Sequence, residues 1–202
     1  DILSFKYDGM KKILLLFLLF PVLDSYAQKW EKNYESVDNC ICGLSKVKKN
    51  GKIGYVNKDG DVIIKVIYDE GLTFNEGYTA VRLDMKWMYF DSTGRAVTEA
   101  IYEDAYSFSG GLAPVAQNNQ YGFINSTGQL VIPFQFSNAR GFTEGLAPAA
   151  NAKGFWGFIN TKGEWVIKPV YDFTGNFEEG EARVIKDNKV MYIDHQGKVL
   201  RQ

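Results

Sequence analysis

The sequence has one histidine and two cysteines in 202 residues, no surplus of either charge, and almost no long apolar run. A lone histidine, His195, leaves nothing to build the His-containing nucleophile or metal constellations of common enzymes. No G-x-S-x-G elbow and no phosphate-cradling glycine loop appears either. Two cysteines fall short of a structural zinc set. Cys40 and Cys42 form a C-x-C pair that on an extended strand shares one face about 6.5–7 Å apart, at or beyond the reach of a disulfide. The expected order is two buried or half-buried thiols, then a strained local disulfide, then a metal ligand. With 23 basic and 24 acidic residues the net charge is −1, so nothing argues for nucleic acid or an anionic membrane, which require a basic patch. The one long apolar run, residues 13–23, stops short of the roughly 20 residues a bilayer-spanning helix needs. No stretch after it carries a helical period.

That run has the setting of an export signal. Residues 1–9 read as an upstream extension, Met10 with Lys11 and Lys12 as a charged start, and Ser25-Tyr26-Ala27 as the small-residue cleavage site. The expectation is a signal peptide over 10–27, cleavage before Gln28, and a single domain over 28–202 in the periplasm or outside the cell. No cysteine closes the apolar run, which argues against a lipoprotein anchor.

What the chain does have is a repeat. Gly157-Phe158-Ile159-Asn160, with Gly163 after it, recurs as Gly54-Tyr55-Val56-Asn57, Met88-Tyr89-Phe90-Asp91, Gly122-Phe123-Ile124-Asn125 and Met191-Tyr192-Ile193-Asp194. The Asn/Asp positions are spaced by 34, 34, 35 and 34 residues, and a fixed period of this size marks a repeat architecture. A second glycine, at 77, 111, 145 and 180, lies 17 residues after each first-turn glycine, with Phe74, Phe108, Phe142 or Phe177 three before it. The same offsets run backwards reach Gly43, Cys40 and Tyr34. About five units therefore fill residues 30–200.

Each unit contains short β-branched and aromatic runs separated by glycine turns, such as Trp156 to Asn160, then Thr161-Lys162-Gly163, then Glu164 to Ile167, which is a β-hairpin. Pro133 and Pro169 close or edge the second strand. Strand residues are apolar on both faces, as in a strand sandwiched between neighbours, and the glycine beside the aromatic allows a neighbouring backbone or ring to come close. Met88 and Met191 take that place in two copies. One unit of this size cannot bury its own apolar residues, so stability is expected from stacking. The predicted fold is all-β: tandem β-hairpin repeats in an open or superhelical array, the alternative being a closed five-unit, propeller-like ring. Thirty-four residues look short for a four-stranded propeller blade.

The core Trp156-Gly157-Phe158-Ile159-Asn160, the run Val166-Ile167-Lys168-Pro169 with Tyr171 and Asp172, and the later Phe-x-x-Gly closely resemble the WG-repeat family. Tyr121-Gly122-Phe123-Ile124-Asn125 and Phe142-Thr143-Glu144-Gly145 match as well. The resemblance implies tandem hairpins and a binding or scaffolding role, with no established chemistry and no cofactor. Candidate ligand-binding residues are the aromatic column Trp87, Tyr121 and Trp156, which packing between units equally explains, and Trp30 and Trp165, which lie off the column and are freer to be exposed. Aromatic faces suit sugar rings and protein hot spots alike, so the expected partner is a protein or an envelope glycan. A structural assembly subunit is a second reading. A third is an envelope hydrolase working through paired carboxylates. Against the hydrolase, Asp69, Glu103 and Asp172, and likewise Glu76, Glu144 and Glu179, recur with the repeat, as turn-capping acids would. His195, in the last hairpin turn, reads as an exposed turn residue.

Overall fold

A computed structural model describes residues 29–202. The expected upstream extension and signal peptide, at 1–27, lie outside the described residues. After a short 3-10 helix, Lys29–Asn33, five antiparallel sheets follow one another, each a meander in which strands adjacent in sequence are adjacent in space. The first sheet is Ser36–Val37, Leu44–Lys49, Lys52–Asn57 and Val62–Tyr68. The second is Glu70–Gly71, Tyr78–Leu83 and Lys86–Asp91. The third is Asp104–Ala105, Leu112–Gln117, Gln120–Asn125 and Leu130–Phe136. The fourth is Asn138–Ala139, Ala147–Ala150, Trp156–Ile159 and Trp165–Tyr171. The fifth is Phe173–Glu178, Glu181–Lys186, Lys189–Ile193 and Val199–Arg201. Four strands fit a 34-residue unit after all, because in the first four sheets the opening strand is only two residues long.

Two features of the anchor have local causes. Its closing Asn or Asp organises the hairpin turn: the Asn57 side-chain oxygen accepts from the backbone N–H of Asp59 and Asp61, both at 2.9 Å. Asp91, Asn125, Asn160 and Asp194 do the same two and four residues on. The glycine before the aromatic is where the last strand of the sheet bulges across the third. A Cβ on Gly122 would lie 2.6 Å from the Ile132 carbonyl oxygen, and one on Gly54 would lie 2.7 Å from that of Ile64. The ladder skips this position, pairing Tyr121 with Phe136 but Phe123 with Ile132. Where methionine replaces the glycine the crossing is weakened. The second sheet, with Met88, keeps only the isolated bridges Trp87 to Tyr102 and Phe90 to Ala96 in place of a fourth strand. The fifth, with Met191, has a fourth strand of three residues, all exposed.

The sheets are joined face to face by one recurring ring contact. The anchor aromatics Tyr55, Tyr89, Phe123 and Phe158 pack on Phe74, Phe108, Phe142 and Phe177 of the next sheet, with centroids 5.2, 5.3, 5.2 and 4.7 Å apart. Such pairs contribute about 0.5–1.5 kcal/mol beyond their burial. Around each pair a buried cluster joins two consecutive sheets, for example Tyr89, Phe108, Val115 and Ile124 at the second seam. Among the described residues five sheets share four such clusters, which is the count of an open row. On the two tyrosine seams the phenols also reach across: Tyr55 donates to the Leu72 carbonyl at 2.5 Å and Tyr89 to that of Tyr106 at 2.6 Å.

Gly122→Met should give the third sheet the defect the second already has. Its side chain would meet the backbone of the bulged strand, a cost of roughly 1–3 kcal/mol. Amide exchange over residues 130–136 should rise, while protection in the first sheet stays unchanged.

Candidate functional site

Of the acids that could form a catalytic pair, Asp69, Glu103, Asp172, Glu76 and Glu144 are occupied in turns, while Glu179 lines an open cavity on the last sheet. Asp69 accepts from the backbone N–H of Asp84 at 3.2 Å, Glu103 from that of Asn119 at 3.0 Å and Asp172 from that of Asp187 at 2.8 Å, each capping the hairpin between the second and third strands of its own sheet. The bond from Asn119 holds the Glu103 carboxyl below its ordinary range. Glu76 reaches one sheet further, accepting from Gly110 N at 2.8 Å and Gly111 N at 2.9 Å. Glu144 does so with Gly180 N at 3.1 Å.

Two expectations need correction. His195 is not a free turn residue. Its ring stacks on Phe177 at 4.3 Å and its Nε2 lies 3.0 Å from Glu144 Oε2, so it is part of the seam between the fourth and fifth sheets. Cys40 and Cys42 are free and exposed rather than buried. Cys42, with φ 53°, makes a two-residue turn with Gly43 between the bridged residues Ile41 and Leu44, and Cys40 stands just before it.

The five candidate aromatics part company. Trp87 is 6% exposed and belongs to the core of the second seam. Trp165, far from standing free, packs edge-on against Phe136 at 5.6 Å. Trp30 is half-buried, donates from Nε1 to the Lys58 carbonyl at 3.2 Å, and covers Gly60 so closely that no Cβ would fit there. It thereby fills the place that Ile63 and Ile132 of preceding units take over Gly94 and Gly163. Tyr121 and Trp156 remain half-buried at the edge formed by the short opening strands.

At that edge the fold brings them together with residues that the repeat pattern did not single out. The Tyr121 hydroxyl donates to Asp104 Oδ2 at 2.6 Å, and its ring lies 6.3 Å from that of Tyr106, which is 39% exposed. Arg140 places its guanidinium 4.7 Å from the centre of Trp156 and 4.8 Å from that of Phe173, and donates to the Thr174 carbonyl. Cation–ring contacts at these distances contribute about 0.5–2 kcal/mol. Burial, with the charge of Asp104, raises the Tyr106 phenol, and burial lowers Arg140. The Arg140 charge acts on the Tyr106 phenol in the opposite sense, lowering it. The signal that could have found it is a broken repeat: Leu72, Tyr106 and Arg140 stand at 34-residue spacing, and the third is a cation. The larger cavities lie elsewhere. One of about 490 Å³ sits on the outer face of the last sheet beside Glu179, Arg183, Tyr192 and Arg201.

A family model described as the WG containing repeat matches residues 53–87, 87–121, 121–151 and 156–189. No curated protein matches the chain. Among solved structures, Kluyveromyces lactis Hsv2 with its complete loop 6CD aligns with a TM-score of 0.51 at 11% identity, over 79% of this chain and 58% of that one. The same protein with loop 6CD replaced by a Gly-Ser linker gives 0.50 at 10%, over 79% and 62%. The WD40 β-propeller domain of Doa1 gives 0.43 at 13%, over 83% and 69%. The chain thus spans about three fifths of the Hsv2 chains. At such identities the likeness concerns fold alone, a row of propeller-like sheets.

The buried phenols set a pH dependence. Tyr55 and Tyr89 are pushed well above the ordinary phenol range, chiefly by burial. Unfolded, they ionise near pH 10, so above that pH the folded chain binds more protons than the unfolded one. Their contribution is fully present below pH 10 and is lost as pH rises, by about 1.4 kcal/mol per pH unit for each phenol. Urea midpoints measured from pH 8 to 11 should fall accordingly. The Tyr55→Phe/Tyr89→Phe variant, which copies what Phe123 and Phe158 do at other seams, should fall less.

Proposed function

The chain belongs to the WG-containing repeat family, and on that footing we propose that it is an exported, non-catalytic binding or scaffolding module of the cell envelope or exterior. It acts through glycan or protein contacts. The observation that carries this reading is a pair of contacts the core does not enclose, the half-exposed rings of Tyr106 and Tyr121 and the half-buried Arg140 over Trp156. Aromatic and arginine side chains held in place by packing lose little entropy on contact and dominate binding surfaces. The non-catalytic part of the reading is supported by the recurring acids Asp69, Glu76, Glu103, Glu144 and Asp172, whose carboxylates are engaged with backbone N–H groups. Export is supported by the pattern over residues 10–27.

Cosedimentation with purified envelope fractions tests the contact surface. The chain should be retained, and Tyr106→Ala with Trp156→Ala should weaken retention by about tenfold or more, the loss of one good aromatic anchor. Retention that ignores both substitutions would remove this edge from consideration. The protein recovered outside the cytoplasm should begin at Gln28; recovery only in the cytosol with Met10 still attached would end the export reading.

A further inference from the structure

We propose that Arg140 anchors a site for an acidic sugar, a glycan residue carrying one carboxylate among neutral hydroxyls. The proposal rests on the reading of this edge as a contact surface and names the chemistry of its ligand.

Arg140 is, among the described residues, a cation without a carboxylate partner within ion-pair reach. Among the described residues Arg82, Arg95 and Arg201 each pair with a carboxylate, Glu70, Asp91 and Glu181. Arg140 has no such pair, and Arg183, which also lacks one, is exposed in water. Arg140 is instead half-buried against Trp156 and Phe173, with one N–H spent on the Thr174 carbonyl. A guanidinium has five N–H donors in a planar fork suited to a carboxylate. Holding it partly dehydrated has a cost that an incoming anion would offset. Because the two rings and the carbonyl fix the fork beforehand, little side-chain freedom is lost when the anion arrives.

The surroundings select the kind of anion. Tyr121 donates to Asp104 and packs its ring 6.3 Å from that of Tyr106, and the charges of Asp104 and Arg140 act on the Tyr106 phenol in opposite senses, so a carboxylate and a half-exposed ring accompany the cation. Asp104 accepts from Tyr121 and from Ala105 N and keeps further lone pairs for hydroxyl donors. A ligand with closely spaced carboxylates, such as an acidic peptide, would set its second charge against Asp104. A sugar with a single carboxylate offers the charge to Arg140, hydroxyls to Asp104 and a C–H face to the Tyr106 ring.

The test is titration of the purified chain with a hyaluronan tetrasaccharide, in which uronic acids alternate with neutral sugars, followed through the arginine Nε–Hε signals by nuclear magnetic resonance. The Arg140 signal should move on titration, and added salt should weaken binding. A neutral chitotetraose should bind about tenfold more weakly or not at all, and tetraglutamate likewise. Arg140→Lys, which keeps the charge and loses the fork, should weaken the tetrasaccharide about tenfold while Arg201→Lys leaves it unchanged. Thermal melts of both variants establish that they fold, and the titration of the unaltered chain stands without them. An Arg140 signal that does not move, or equal binding of the neutral or peptide probe, would overturn the assignment. If envelope retention persisted in that case, the contact surface would stand with a different ligand; if retention were lost as well, both readings would fall together.

Discussion

One ring set against another across each seam is the contact on which the rest of the array depends. No sheet can bury both of its faces alone, since each is a short meander with apolar residues on either side. The aromatic of one anchor and the phenylalanine nineteen residues later, as with Phe123 and Phe142, lie in consecutive units and bring their sheets face to face. The buried clusters grow around these pairs. The acids act in the same direction at the surface, with Glu76 and Glu144 tying the turn of one unit to that of the next. His195 adds a further contact to the last seam, lying between Phe177 and Glu144.

Much of this could be read from the residues. The 34-residue period, the all-β class and the stacking of units follow from spacing and alternation. The reason for glycine beside the aromatic was visible in outline, and the structure adds its cause, the bulged strand whose Ile132 carbonyl leaves no room for a Cβ on Gly122. The fate of Met88 follows from the same geometry. Other features left no pattern to read. A two-residue strand such as Asp104–Ala105 is too short to show alternation, so the unit looked like a hairpin when it holds four strands. Trp30 lies off the column, yet it covers Gly60 as Ile63 and Ile132 cover the turn glycines of the units that follow theirs.

The candidate surface was legible only in half. Tyr121 and Trp156 stand in the repeat and could be named; Arg140 could not, because its meaning comes from the rings of Trp156 and Phe173 that fold against it. Repeat reasoning is drawn to what recurs. Here Arg140 differs from its counterparts Leu72 and Tyr106, and the departure marks the position where the shared architecture gives way to what is particular to this chain.

The short reach of the seams also bears on how the chain acquires its shape. Ring partners lie nineteen residues apart, and the acid-to-turn bonds between units span 34 to 36. Little loop entropy is lost in closing any one of them, and no contact must wait for the far end of the chain. Folding can begin at whichever seam closes first and spread in both directions, each sheet serving as the template for its neighbour. During synthesis each finished unit finds its partner as soon as the following one emerges, so the apolar face left open at any moment is never larger than that of a single sheet.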